Sequence, residues 1–199
     1  MGSNANRLRK KWQDYSGASA SIAEKDFYTT FQALFRDTEF VIREKPDEFS
    51  KIYVDVPLNK KELAAIYSPD QPIIRHGIFP DYAIDNTETK KIMYVEVKRQ
   101  DGWVEGKTRA AGRGNAHERS CKFFTPGLQK ILRQQGNIAD DVLPFWTVFQ
   151  GDITRDPCRV REITLWYAEF TAHYFFWRDS KNATPLVEHF IENIKPLLG

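Results

Sequence analysis

Two acidic residues and one lysine lie in two neighbouring apolar segments near the middle of the 199-residue chain. Asp81 precedes the apolar run 82–84, and Glu96 and Lys98 lie at the end of a second run that begins at Ile92. Turn-forming residues separate the two runs, which predicts two paired β-strands. Side chains alternate across a strand, so Glu96 and Lys98 share one face, and Asp81 would meet them across the pair. Two carboxylates beside an ammonium are suited to a divalent cation such as Mg²⁺, which binds few protein oxygens and keeps several waters.

The same residues also have a purely structural interpretation. Glu96 and Lys98 could form a solvated charge pair on an edge strand, where charged side chains discourage aggregation. Only four positions are fixed by the pattern, namely Pro80, Asp81, Glu96 and Lys98. The motif alone therefore does not identify a site, and the surrounding sequence is needed to choose between the metal site and the structural pair.

A basic, glycine-rich segment follows the second strand. Residues 98–122 contain seven Lys or Arg residues against three acidic ones, an excess that favours a polyanionic partner. Asn115 with Glu118 three residues later resembles a helix capping box, a structural role that would account for both side chains. Arg113, Asn115, Glu118 and Arg119 are also the side chains best suited to hydrogen-bond with base edges. The segment therefore predicts a helix start that either is only capped or reads DNA.

Periodicity and helix-start signals predict one α/β domain over residues 1–199, with a mixed sheet of about five strands flanked by helices and a flexible basic arm at residues 1–15. The chain contains no internal repeat and no linker. The predicted strands are Phe40–Arg43, Ile52–Val56, Tyr82–Ile84, Ile92–Val97 and Leu143–Phe149. The predicted helices are Ser19–Arg36, Lys60–Tyr67, Asn115–Phe124 and Pro126–Gly136, with two more that begin at Asp156-Pro157 and Thr184-Pro185, the first carrying an apolar stripe that extends to Tyr174.

The composition is that of a globular protein, with 41% hydrophobic and 28% charged residues. No apolar run approaches the roughly 20 residues that span a bilayer, and the N-terminus lacks a hydrophobic signal core, so we expect a cytoplasmic protein. Cys121 and Cys158 lack metal-binding spacing and are predicted to be free thiols. His76, His173 and His189 have no second ligand at metal spacing, so we interpret them as packed or surface histidines.

Three motifs occur in an order that resembles a known family: Pro80-Asp81, then Glu96-Val97-Lys98, then the segment Arg113–Arg119, which we call the reading segment. The chain is similar to the EcoRI-type restriction endonucleases of the PD-(D/E)xK superfamily, and among them to the MunI type. The similarity includes DGWVEGK, GRGNAHERSCK, FTPGL and GDITRDP. It implies a restriction-endonuclease-like PD-(D/E)xK core and a type II enzyme that makes Mg²⁺-dependent double-strand cuts in a palindromic site with an AATT core, CAATTG. It also implies a homodimer on double-stranded DNA and a cognate DNA methyltransferase acting on the same site.

The resemblance also implies roles for individual residues. Asp81 and Glu96 would correspond to the metal-binding carboxylates, the Val97 carbonyl to a third protein ligand, and Lys98 to the catalytic lysine. The residues that would enter the major groove are Arg113, Gly114, Asn115, Ala116, His117, Glu118 and Arg119. His117 replaces an aliphatic residue of EcoRI, and Arg113 has no obvious equivalent there, so both argue against an EcoRI-like outer base pair.

Two other classes of protein remain open at this stage. A repair or resolvase nuclease on the same core would read DNA structure and would not need the reading segment. A DNA-binding protein without catalysis would not need Asp81, Glu96 and Lys98 together.

Replacing Asn115 with Ser separates helix capping from base reading. Serine is as good a cap as asparagine, so a capping role alone would leave sequence choice unchanged. If Asn115 reads bases, Asn115→Ser should stay folded but lose about 1–3 kcal/mol of discrimination within AATT, because serine cannot make the bidentate contact with adenine. Cleavage rates on CAATTG and on duplexes altered within AATT measure this difference. Unchanged discrimination would leave Asn115 with a capping role only.

Overall fold

The computed structural model describes residues 26–102 and 117–199, and within these ranges five strands form one mixed sheet. The strands lie side by side in chain order. The pairs β1–β2 and β2–β3 are antiparallel, whereas β3–β4 and β4–β5 are parallel. The predicted mixed α/β sheet is therefore confirmed. The strands are β1 (Phe40–Glu44), β2 (Tyr82–Asn86), β3 (Ile92–Arg99), β4 (Phe145–Gln150) and β5 (Tyr174–Trp177).

The helices begin where proline and capping residues predict. Pro126 and Pro157 each occupy a first-turn position, where the missing N–H of proline has no intrahelical partner to lose. The Asp156 carboxylate accepts hydrogen bonds from the backbone N–H groups of Cys158 and Arg159. None of the helices in the described ranges is both long and apolar enough to cross a bilayer. The helices are α1 (26–34), α2 (Lys60–Ala65), α3 (Pro126–Gly136), α4 (Pro157–Tyr167), α5 (Thr184–His189) and α6 (Lys195–Leu198), with 3-10 turns at Glu118–Phe124, Asp152–Thr154 and Thr171–His173 and a π-helix at Phe190–Ile194.

The two faces of the sheet support two hydrophobic clusters, because β3 sends alternate side chains to opposite sides. Met93, Val95 and Val97 lie in the cluster that contains side chains of α1 and of the C-terminal helices. Tyr94 lies in the cluster that contains side chains of α3 and α4. Glu96 and Lys98 have the same parity as Tyr94 and therefore lie with it at the α3/α4 face, in agreement with the predicted common face of these side chains.

The α2 segment differs from the other helices in its exposure. None of its side chains is buried, and every residue from 55 to 76 is exposed. The helix is held by its own capping box, in which Asn59 accepts from the N–H of Glu62 and the Glu62 carboxylate accepts from the N–H of Asn59. Local hydrogen bonds therefore define this helix without support from a core.

Two sequence-based assignments in the sheet and its flanking segments differ from the structure. Residues Ile52–Val56, predicted to be a strand, form turns, and Ile52 instead packs half-buried against the cluster at the α3/α4 face. The apolar stripe predicted to extend to Tyr174 ends with α4, because Ala168 has a φ of 44° and stops the helix. Tyr174–Trp177 is β5, a strand that the stripe concealed. The predicted first helix is confirmed for residues 26–34, and its first residues, together with the arm at 1–15, lie outside the described ranges.

His173 is buried where the 3-10 turn meets β5, as the interpretation of a packed histidine expects. Its Nδ1 lies 3.0 Å from the Phe145 carbonyl oxygen, so the neutral ring donates a hydrogen bond there. Burial lowers the pKa of His173 to about 4. Because folding lowers the pKa of His173, the neutral ring contributes to the stability of the folded protein above pH 6.5. This contribution is lost as the pH falls towards 4, because the unfolded protein takes up the proton more readily.

We therefore expect acid to destabilise the protein partly through His173. His173→Asn keeps a donor for the Phe145 carbonyl but does not titrate, so it should lose less unfolding free energy than the wild type between pH 7 and 4.5. The difference should reach roughly 2–3 kcal/mol, at about 1.4 kcal/mol per pKa unit. Urea unfolding at both pH values measures it. An equal loss in both proteins would show that His173 does not carry the pH dependence.

Candidate active site and reading segment

Asp81 is fixed to β3 by a backbone hydrogen bond. In the β2–β3 register Tyr82 pairs with Val95, and extension of this register by one residue places Asp81 opposite Glu96. The Val97 N–H donates to the Asp81 carboxylate at 2.8 Å. The strand pairing thus positions one predicted site residue against the backbone of the strand that carries the other two.

Lys98 joins the two carboxylates. Its Nζ lies 3.2 Å from Asp81 Oδ2 and forms an ion pair with Glu96 Oε2. The three residues singled out by the sequence therefore form one contiguous cluster. They do not form the solvated pair of an edge strand, because β3 is paired on both sides and all three side chains are largely buried.

Glu96 is the most deeply buried member of the cluster, with 3% of its surface exposed. Burial, together with the nearby negative charge of Asp81, raises the pKa of Glu96 to about 7 despite the ammonium of Lys98. Its Oε1 is buried without a hydrogen-bond partner in the described part of the chain. A buried carboxylate oxygen without a hydrogen-bond partner destabilises the fold. A ligand that contacts this oxygen would remove that cost.

The β4 strand forms the wall beside Glu96. Thr147 pairs in register with Glu96 and accepts a 2.6 Å hydrogen bond from the hydroxyl of Tyr167 on α4. Burial raises the pKa of Tyr167 far above its usual range, so the phenol remains a neutral donor. Packing of α4 on the sheet therefore closes one side of the cluster.

Lys98 stays charged in this environment. Burial lowers the pKa of the ammonium, but the charges of Glu96 and Asp81 together outweigh burial and raise it. The side chain can therefore donate hydrogen bonds at neutral pH. In the protein alone, its positive charge offsets the repulsion between the two carboxylates.

The donor set fits a hard divalent cation that keeps much of its water. Asp81 and Glu96 offer carboxylate oxygens on adjoining strands, and Glu96 Oε1 lacks a hydrogen-bond partner in the described ranges. Residues 26–102 and 117–199 contain no cluster of three or more His, Cys, Asp or Glu side chains that could hold a metal. Two carboxylates suit Mg²⁺, which is commonly bound by one or two carboxylates.

The reading segment is described only in part. Arg113, Gly114, Asn115 and Ala116 lie outside the described residues, whereas His117, Glu118 and Arg119 lie within them. The 3-10 turn begins at Glu118, and His117 is its N-cap residue without a side-chain cap. Glu118 is therefore the first residue of the turn and not the third helical residue of the predicted capping box, whose other member, Asn115, lies outside the described residues. Over Glu118–Phe124 the predicted α-helix is a 3-10 turn, which places successive side chains at a different angular spacing.

The side chains of the described part point in two directions. Glu118 and Arg119 are exposed, and His117 is fully buried. Sequence analysis did not find the partners of His117, which are Glu162 and Trp166 on α4. These residues show helical spacing but carry no motif, so no local pattern connects them to position 117.

Comparison with known proteins gives consistent results. The whole chain, residues 1–199, matches the family model described as type II restriction enzyme MunI. It is 50% identical over 201 residues to a type II restriction enzyme MunI from Mycoplasma sp, with 100% of both chains covered. It is also similar to the crystal structure of MunI restriction endonuclease in complex with cognate DNA, with a TM-score of 0.80, 50% identity, and 94% of this chain and 97% of that chain covered. The likeness confirms the predicted restriction-endonuclease-like fold.

The burial of Glu96 leads to a stability prediction for the protein in a metal chelator. Because folding raises the pKa of the Glu96 carboxyl, this group contributes most to the stability of the folded protein below pH 4.5. The contribution is lost as the pH rises through 7, because the unfolded protein loses the proton more readily. Glu96→Gln removes the titration, so its unfolding free energy should exceed that of the wild type at pH 8, by up to roughly 3 kcal/mol at about 1.4 kcal/mol per pKa unit. At pH 5 the advantage should largely disappear. Urea unfolding at pH 5 and 8 measures both values.

Asp85→Asn is the matched control, because Asp85 is a carboxylate on the neighbouring strand that arginine already pairs. Arg43 donates to it from Nε at 2.5 Å and from Nη2 at 3.0 Å. Removal of this carboxylate should lower stability at pH 8, the opposite sign to Glu96→Gln. If both variants are destabilised equally, Glu96 is not a source of strain in the fold.

Proposed function

The chain belongs to the MunI family of type II restriction enzymes, and on that premise we propose that it cuts both strands of a palindromic DNA site, CAATTG, with Mg²⁺ as its cofactor. Membership of the family makes the chain a site-specific endonuclease, and enzymes of this class generally use a divalent metal. The observation that carries the proposal is the cluster that Asp81, directly before β2, forms with Glu96 and Lys98 on β3. The choice of CAATTG is supported by the resemblance of the reading segment to that of the MunI type. Family membership argues against the repair nuclease and the non-cleaving protein.

The cluster supports hydrolysis by a direct attack of water. Asp81, Glu96 and the Val97 carbonyl would hold the metal, which would supply positive charge beside the scissile phosphate and make a neighbouring water more acidic. Lys98 has a raised pKa and donates hydrogen bonds. Its ammonium orients the attacking water and stabilises the negative charge that builds on the phosphate oxygens. No side chain of the cluster needs to form a covalent bond to DNA.

A palindromic target requires two symmetric readers. One chain carries one cluster of Asp81, Glu96 and Lys98, which cuts one strand, so the proposed enzyme is a twofold-symmetric homodimer on duplex DNA. The proposed function also implies a second enzyme, which is not part of the complex. A cell that contains such an enzyme needs a DNA methyltransferase that modifies the same site.

The identity of the site is tested by digestion of mixed-sequence plasmid DNA in Mg²⁺, followed by sequencing of the fragment ends. We expect the ends to fall within CAATTG and cleavage to stop when the metal is chelated. Asp81→Asn, Glu96→Gln and Lys98→Ala should each reduce the single-turnover rate by at least about 100-fold, the loss typical for removing one electrostatic contact to the reacting group. All three should still bind a CAATTG duplex, measured by gel shift.

Asp85→Asn serves as the control for these variants too, since it removes a carboxylate from β2 outside the cluster. It should keep cleavage activity at a temperature where it is folded. Near-normal cutting by Asp81→Asn or Glu96→Gln would refute the assignment of the metal ligands. Fragment ends without a common sequence would refute the site-specific function itself.

A further inference from the structure

His117 is the one residue of the described part of the reading segment that faces the protein. Side chains of the segment that contact bases must be exposed, and Glu118 and Arg119 are exposed. His117 precedes them directly and is fully buried. A base contact from His117 would require the side chain to leave its site in the protein.

Two contacts hold the imidazole against α4. Its Nε2 lies 3.2 Å from Glu162 Oε2, and its ring stacks on Trp166 with ring centroids 5.4 Å apart and planes 9° apart. A carboxylate only accepts hydrogen bonds, so Nε2 carries the proton and donates it. The stack fixes the plane of the ring and the hydrogen bond fixes its rotation, so together they fix the orientation of the side chain.

The α4 partners are themselves held in place. Arg159 Nη1 donates to both oxygens of Glu162, at 2.7 and 2.5 Å. On the adjoining face of α4, Ile163 and Tyr167 are buried against the sheet, and Tyr167 donates to Thr147 beside Glu96. His117 is therefore attached to the same helix that closes one wall of the catalytic cluster.

We propose that His117 is a positioning residue: it fixes Glu118 and Arg119 relative to α4 so that they can contact the bases of the site. His117 itself does not contact DNA. This inference rests on the proposed function, because it takes Glu118 and Arg119 as readers of a specific site. The 3-10 turn that they begin has no side-chain cap at His117. The anchoring of His117 to α4 replaces a cap as the means of defining where the turn starts.

The same protein contains a second histidine stacked on a tryptophan, which provides a matched control. His189 stacks on Trp146 at 5.7 Å and 15°, and its Nε2 donates to the Ala172 carbonyl at 2.9 Å. It lies in the C-terminal helices, in contact with the opposite face of the sheet. His117→Ala and His189→Ala therefore remove similar packing, but only the first removes a contact to the reading segment.

The test compares cleavage of a duplex containing the site found by end sequencing with duplexes altered at one base pair, alongside thermal unfolding. Both alanine variants should have lower melting temperatures than the wild type. Only His117→Ala should lose discrimination, by about 10- to 100-fold, the effect expected when contacts are misplaced by about 1 Å. Non-specific DNA affinity should change little, because the exposed charges remain.

Two further variants separate the hydrogen bond from the packing. His117→Phe keeps the stack and fills the site, so it should recover the melting temperature but not discrimination. His117→Gln keeps a donor near Nε2, so it should recover discrimination more than stability. If the wild type cuts specifically and His117→Ala and His117→Phe keep its discrimination, the inference is overturned and the proposed function stands. If the wild type cuts no specific site, the proposed function fails and this inference fails with it.

Discussion

The ion-pair cluster of Lys98 with Asp81 and Glu96 is the constraint on which the rest of the site depends. Two carboxylates on adjoining strands repel each other, and burial makes that repulsion stronger. A single ammonium that contacts both of them keeps the arrangement folded before any ligand arrives. The fold must therefore supply a strand that carries a carboxylate and a lysine on one face, next to a strand that begins directly after an aspartate.

The sheet meets this requirement because its strand pairing changes from antiparallel to parallel at β3. On one side β3 pairs antiparallel with β2, which brings Asp81 opposite Glu96. On the other side it pairs parallel with β4, so that the chain must cross over through the 3-10 turn and α3 before it returns. The antiparallel half of the sheet thus assembles the charged cluster. The parallel half brings α4 and the described end of the reading segment, residues 117–119, to the same face.

Sequence reasoning succeeded where the information is local. The alternation in β3 predicted that Glu96 and Lys98 share a face, and two proline-initiated helices begin where expected. It failed where tertiary contacts determine the structure. Ile52 packs against the core from a turn, so its apolar side chain does not indicate a strand. The four residues of β5 also fit the helical periodicity of the preceding apolar stripe. The contact of His117 with Glu162 joins positions 45 residues apart, so no local pattern could reveal it.

The exposure of α2 has a consequence for how the protein opens. With no buried side chain, this helix is stabilised by its capping box and its own backbone hydrogen bonds only. Its amide protons should exchange with solvent through local fraying, at rates independent of the free energy that holds the sheet together. We expect the amides of β3, which is paired on both sides, to exchange only through wider opening of the core. One chain would thus combine a segment of low local stability with a central strand of high local stability.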